Sequence, residues 1–121
     1  MFHLGIIEES LKDKKILNNI ATYLASSRVE EMQEDECPIW HINEYHVEEH
    51  QICEILDMLK EEIKETWYIH AFDDKVLHVV LTGKRFELSL QKGEGWSEMI
   101  EHGVNIAKVE RSFLENIPLC V

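Results

Sequence analysis

The chain is short of basic residues. It has 12 Lys and Arg against 24 Asp and Glu, a formal net charge of −12. Phosphate backbones are held by clustered Lys and Arg, so this balance argues against a nucleic-acid partner. It argues equally against an anionic membrane surface. No apolar run approaches the ~20 residues of a membrane span. The opening Met1-Phe2-His3-Leu4 lacks a basic stretch followed by an apolar one, so no secretory signal is read there. Cysteines number only three, an odd count that fits free thiols in a reducing, cytoplasmic setting. Internal repeats and low-complexity segments are missing. So are the motifs G-x-x-x-x-G-K-[ST], G-x-G-x-x-G, G-x-S-x-G and H-E-x-x-H.

What is present suits one globular domain, residues 1–121, with 45% hydrophobic residues. That length builds a core without a disulfide, a metal or a cofactor, and none is expected. The plain reading of the acidic excess is a solvated surface. A sharper one is a basic protein partner, as for an acidic inhibitor or immunity-type protein.

Apolar residues at 2, 4 and 6 predict a short strand within Phe2 to Ile7. Ser10 with Asp13 resembles a capping box. Ile16, Leu17, Ile20, Tyr23 and Leu24 then recur at helical spacing, so residues 11–25 are expected as an amphipathic helix. A short polar strand is expected over Arg28 to Gln33. Glu34 to Pro38 reads as a charged turn, because Pro38 cannot occupy a central strand position. Ile39 to Val47 is rich enough in aromatic and β-branched residues for a strand. Glu48 and Glu49 suit the positive end of a helix. The stripe Ile52, Leu56, Leu59 and Ile63 extends that helix over 48–64.

The stretch from Trp67 to Leu90 allows a register to be proposed. With Gly83-Lys84 as a type II′ turn, Leu81 faces Phe86, Val79 faces Leu88 and Leu77 faces Leu90. A three-residue loop Asp73-Asp74-Lys75 pairs Phe72 with Val76. Ala71, Ile69 and Trp67 then join the same core face. His70 falls opposite His78 on the other face, among Tyr68, Phe72, Val76 and Val80. A third helix follows Gly93-Glu94-Gly95, with Trp96, Ile100, Gly103, Val104 and Ala107 inward. Ser112 to Val121 is expected as an irregular cap. The order suits an α+β fold, a mostly antiparallel sheet with helices on one face, close to a ferredoxin-like two-layer sandwich.

Cys37, His41, His46, His50 and Cys53 invite a metal reading. An unbroken strand puts His41 and His46 on opposite faces, and His50 turns towards solvent. Structural zinc sites use paired ligands at short fixed spacings, and His46-x3-His50 matches only if the helix begins by residue 46, so no metal is assigned. Cys37 follows three acidic residues, a poor setting for a thiolate, so no catalytic residue is assigned either. The candidate interaction face is instead Tyr68, His70, Phe72, Val76, His78 and Val80. It is too apolar to face water, so either residues 1–33 or a second subunit must cover it, and if the former lie elsewhere a homodimer is the expected state.

Three segments, Asp35 to His41 (DECPIWH), Trp67 to Phe72 (WYIHAF) and Lys108 to Leu119 (KVERSFLENIPL), resemble a family of small uncharacterised bacterial proteins. The resemblance implies a cytosolic bacterial protein and brings no activity with it. Three functions therefore compete: a self-associating interaction or regulatory module, a small enzyme or metal-binding protein built on His70 and His78, and the acidic inhibitor.

Overall fold

Alternating burial along the strands divides the molecule into two cores, one on each side of a single sheet. The computed structural model describes residues 1–31, 38–90 and 93–117. The strands are β1 (Phe2–Ile7), β2 (Leu24–Glu31), β3 (Ile39–Val47), β4 (Ile69–Phe72), β5 (Val76–Leu81) and β6 (Lys84–Ser89). The helices are α1 (Glu49–Lys60), α2 (Glu94–Asn105) and α3 (Arg111–Glu115). All neighbouring strands are antiparallel, in the order β2-β3-β1-β4-β5-β6.

On one face, Leu4 and Ile6 of β1, Tyr45 and Val47 of β3, Ile69 of β4 and Val80 of β5 pack with Ile52, Leu56 and Leu59 of α1. On the other face, Phe72 of β4, Leu77, Val79 and Leu81 of β5, and Phe86 and Leu88 of β6 pack with Trp96, Met99 and Ile100 of α2 and Leu114 of α3. Val79 and Val80 are adjacent, and both are 0% exposed. The sheet is therefore covered from two sides, at this end of it. This corrects the expectation of helices on one face only. The α+β class and the antiparallel sheet stand.

The register also differs from expectation, in an instructive way. Between β5 and β6 the two-residue turn is Thr82-Gly83, with Gly83 at φ +81°, so Leu81 faces Lys84 and Leu77 faces Leu88. That is a slip of two, which preserves every face, so Leu77, Val79, Leu81, Phe86 and Leu88 are all buried as expected. Between β4 and β5 the slip is one residue. Phe72 faces Leu77, His70 faces Val79 and Ala71 faces His78. The cause is Asp73, whose carboxylate accepts from the N–H groups of Lys75 and Val76, each at 2.8 Å. Its own N–H donates to the Val76 carbonyl. This side-chain turn draws Asp73 opposite Val76 and so shifts the pairing by one residue. Ile69 and Ala71 consequently lie on the α1 side, away from Leu77 and Val79.

Residues 11–25 do not form an α-helix. They contain short 3₁₀ turns at Lys14–Asn19 and Ala21–Tyr23, and β2 already begins at Leu24. The segment is tied down first. Leu11 bridges to Ile63, the Lys12 N–H donates to the Glu62 carbonyl and the Lys64 N–H to the Ser10 carbonyl. Asp13 accepts from the Lys15 N–H, a local bond that competes with a helical turn. The remaining span closes one corner of the first core with Ile20, and needs no full helix to do so. Residues 32–37 and 118–121, with part of the expected turn and of the expected cap, lie outside the described residues.

Candidate functional site

The second core stops at β4. No residue of β1, β2 or β3 belongs to it. Beyond β4, the even-numbered residues of β3 and the odd-numbered ones of β1 look into an open cleft of about 820 Å³. Its floor is Gly5 and Ile7 of β1, Ile42 of β3, His70 of β4 and Tyr68 just before that strand. Trp40 and Trp67 close one end, their rings edge to face at 5.1 Å. Arg28 and Glu44 stand on the β2–β3 side, and Lys108, Glu110 and Phe113 on the side of α3.

Gly5 shapes this floor. It pairs with His70, whose ring lies across it. A Cβ on Gly5 would sit 2.8 Å from the His70 Cε1. The His70 ring stacks on Phe72 at 5.9 Å and 6°, and tilts against Tyr68 at 5.9 Å. His3 continues the row, 5.3 Å from Phe72 and 4.9 Å from His46. A line of flat rings therefore runs along β4 and into β1.

Backbone strain marks the opposite wall. Among the described residues, the non-glycine positions with positive φ are Thr66 (75°) and Lys108 (61°), and both line the cleft. A β-branched residue in this region is a true outlier. Strain of this kind costs about 1–3 kcal/mol and concentrates at functional sites. The two are joined, since the Thr66 N–H donates to the carbonyl of Ala107 at 2.7 Å. Thr66 turns the chain so that Trp67 and Tyr68 reach the cleft, and Lys108 does the same for Glu110.

The polar groups are few. Arg28 Nη1 donates to Glu44 at 3.2 Å and its Nε to Glu30 at 3.0 Å. These partners, the Glu30 hydrogen bond foremost, hold its pKa above the ordinary value. Burial pushes the Tyr68 phenol up to about 12. Its hydroxyl takes no partner among the described residues. It is therefore a neutral hydrogen-bond donor at the edge of the ring stack.

The expected interaction face is divided by the register. Tyr68, His70 and Phe72 belong to the cleft side. Val76, His78 and Val80 belong to the α1 side, where Val80 packs in the first core. One surface made of all six does not exist. His70 and His78 lie on opposite faces and cannot act together on one substrate. His78 is 2% exposed, packs on the Phe2 ring at 5.2 Å and accepts from Arg85 Nη1 at its Nδ1, 3.4 Å away. Burial lowers its pKa, and the Arg85 charge pushes the same way against Glu87 and Asp73.

The Cys/His set is scattered too. Cys37 lies outside the described residues. His41 is fixed on the α1 side by Glu9, which takes its backbone N–H at 2.6 Å and its ring at 2.7 Å. Burial pushes the Glu9 carboxyl up, but the His41 hydrogen bonds outweigh this and hold it below the ordinary value. His46 is exposed on the cleft side, and His50 and Cys53 are exposed on α1. No group of three or more His, Cys, Asp or Glu is placed to hold a metal among the described residues.

Trp40, Arg28, Glu44, Gly5 and Lys108 are site residues that sequence reasoning missed. The alternation of Trp40, Ile42, Glu44 and His46 was a usable signal for a common face. Nothing local marked Gly5, Thr66 or Lys108. Comparison of the chain with protein-family models, with curated proteins and with solved structures finds no match.

Proposed function

We propose that this protein is a non-enzymatic binding module that holds a compact, ring-bearing organic molecule in the cleft over β1, β3 and β4. The observation that carries the reading is the row of flat side chains, Tyr68, His70 and Phe72 with Trp40 and Trp67 at the end, around a floor opened by Gly5. A volume of about 820 Å³ is within the usual ligand range of roughly 300–1,000 Å³. Rings stack on rings at a gain of about 0.5–1.5 kcal/mol per pair beyond area burial. Arg28, Glu44 and the Tyr68 hydroxyl supply the few directional contacts that such sites use. The shift on Tyr68 favours binding over catalysis, since a phenol near 12 is far from the neutral range that suits a general acid or base. The odd cysteine count supports a cytoplasmic setting for this role.

A thermal-shift screen of ring-bearing fragments tests the reading. A ligand at ~100 times its dissociation constant stabilises by about 2.7 kcal/mol. Hits should lose their effect on Gly5→Ala, where the His70 ring must swing into the cleft. A library without hits, or hits that act equally on Gly5→Ala, would reject the cleft as a ligand site.

A further inference from the structure

The free edge of the sheet beside the cleft is β2, and it is unusually bare. All eight of its residues are exposed, and Val29 is 60% exposed. An edge of this length presents a row of unpaired backbone N–H and C=O groups, and proteins generally blunt such edges with proline, bulges or brevity. β2 has no proline. Its one irregularity falls between Leu24 and Ser26, leaving Ser26 to Glu31 in regular pairing with β3. Charge is therefore the feature that decides what the edge accepts.

The order of charges is self-complementary. In an antiparallel pair, two directly opposed residues are either both hydrogen-bonded to each other or both not. A strand meeting its own copy must then place one residue opposite itself, on the two-fold axis. With the axis at Arg28, arginine meets arginine. With it at Glu30, glutamate meets glutamate. At Ser26 or Ser27, the charges face serine, alanine or leucine. With the axis at Val29, Arg28 faces Glu30 of the second copy, Glu30 faces Arg28, and the two exposed valines meet in the middle. Among axes from Ser26 to Glu30, this one alone sets opposite charges face to face.

We infer that β2 pairs with β2 of a second copy of this chain, with Val29 on the two-fold axis, continuing the sheet across both protomers. Self-association is expected from the sequence on the β4–β5 surface, but that surface is divided between two cores; the β2 edge, among the described residues, is exposed along its whole length. The pairing also bears on the cleft. Arg28 and Glu30 line it, and the axis is perpendicular to the sheet. Each protomer's cleft then opens on the same side, with the other copy's Glu30 set beside Arg28 at its rim. The net charge of −12 per chain opposes association, but salt near 0.15 M screens exposed charges beyond about 8 Å. This inference is independent of the ligand reading, and either can fail alone.

The test is sedimentation velocity from micromolar to near-millimolar chain at that salt, with far-UV circular dichroism as the control for folding. Wild type should pass from monomer to dimer with concentration. Val29→Lys places like charges on the axis, and Arg28→Glu sets glutamate against glutamate. Each should weaken the dimer by at least about tenfold, or ~1.4 kcal/mol. The double variant Arg28→Glu with Glu30→Arg reverses both charges and should restore association. A wild type that stays monomeric throughout would overturn the inference. So would a dimer indifferent to Val29→Lys, which locates it elsewhere, or a charge reversal that fails to restore it, which rejects this register.

Discussion

The two ends of one sheet are built differently. At the β5–β6 end, both faces are buried, by α1 on one side and by α2 and α3 on the other. At the β2–β3 end, one face is bare, and β2 is exposed throughout. The same strand chemistry thus serves two purposes. Burial on both faces makes the first end the source of stability. Exposure at the second leaves aromatic rings, a paired arginine and a free edge available to other molecules. Strained residues also separate the two, since Thr66 and Lys108 lie at the seam where the covered end gives way to the cleft.

The largest effect should come from the covered end. Leu77 is fully buried beneath α2, so Leu77→Ala should cost about 2–5 kcal/mol of unfolding free energy in urea. An equally severe loss on Trp40→Ala, whose side chain is only half-buried at the open end, would erase the contrast.

Two glycines sharpen it. Gly103 of α2 faces Leu114 of α3, and a methyl there collides with the buried Leu114 side chain. Gly103→Ala should cost about 1–3 kcal/mol, since the close approach of the two helices leaves little room to give. Gly5→Ala meets only the far end of the His70 ring, which has open space to enter. It should change stability by less than about 1 kcal/mol, because alanine also suits a strand better than glycine. Denaturation midpoints for the pair give the ordering directly. Gly5→Ala as the worse of the two would mean the cleft is as tightly packed as the core.

Acid should act through the covered end too. The pKa of His78 is lowered in the fold, so the unfolded chain binds its proton more readily. Its contribution to stability is complete above the ordinary value of 6.5. It is lost as the pH falls through that value towards the lowered one. Melting temperatures recorded from about pH 7.5 to about pH 5.5 should fall less steeply in His78→Leu than in wild type. Parallel curves would assign the acid sensitivity to other groups.

The smallest effect belongs to the bare edge. Arg28 and Glu30 are both well exposed, and exposed pairs contribute about 0.2–1 kcal/mol. Arg28→Ala should therefore leave the unfolding free energy of the monomer within ~1 kcal/mol, whatever it does to association. A larger loss would make Arg28 a structural residue of the hairpin.

The contrast also explains which parts could be read from the sequence. β1 alternates cleanly, because one of its faces is buried and the other is not, and its bounds, Phe2–Ile7, follow from that pattern. β3, Ile39–Val47, was legible from its aromatic and β-branched content instead. The stripe of α1 was equally plain. β5 reads Val-Leu-His-Val-Val-Leu, apolar nearly throughout because both its faces are covered. Such a run contains no alternation from which to fix a register. The Asp73 turn then decided the pairing through hydrogen bonds that no apolar pattern records. Of the candidate face, Tyr68 and His70 line the cleft, whereas Phe72, on the same side of the sheet, is buried in the second core. Val76, His78 and Val80 were attached to it by the wrong register. The rest of the cleft depends on β1 lying between β3 and β4, a long-range pairing with no local signature.

The most direct test of the division is ¹⁹F NMR of protein labelled with 5-fluorotryptophan, titrated with the best ring-bearing fragment from the thermal screen. Trp40 and Trp67 border the cleft, whereas Trp96 is buried against the sheet with its indole N–H donating to the Ser89 carbonyl at 2.8 Å. The resonances of Trp40 and Trp67 should move together and saturate, with Trp96 unmoved. Movement of Trp96 alone, or of all three alike, would contradict a sheet whose open end binds and whose covered end only holds the fold.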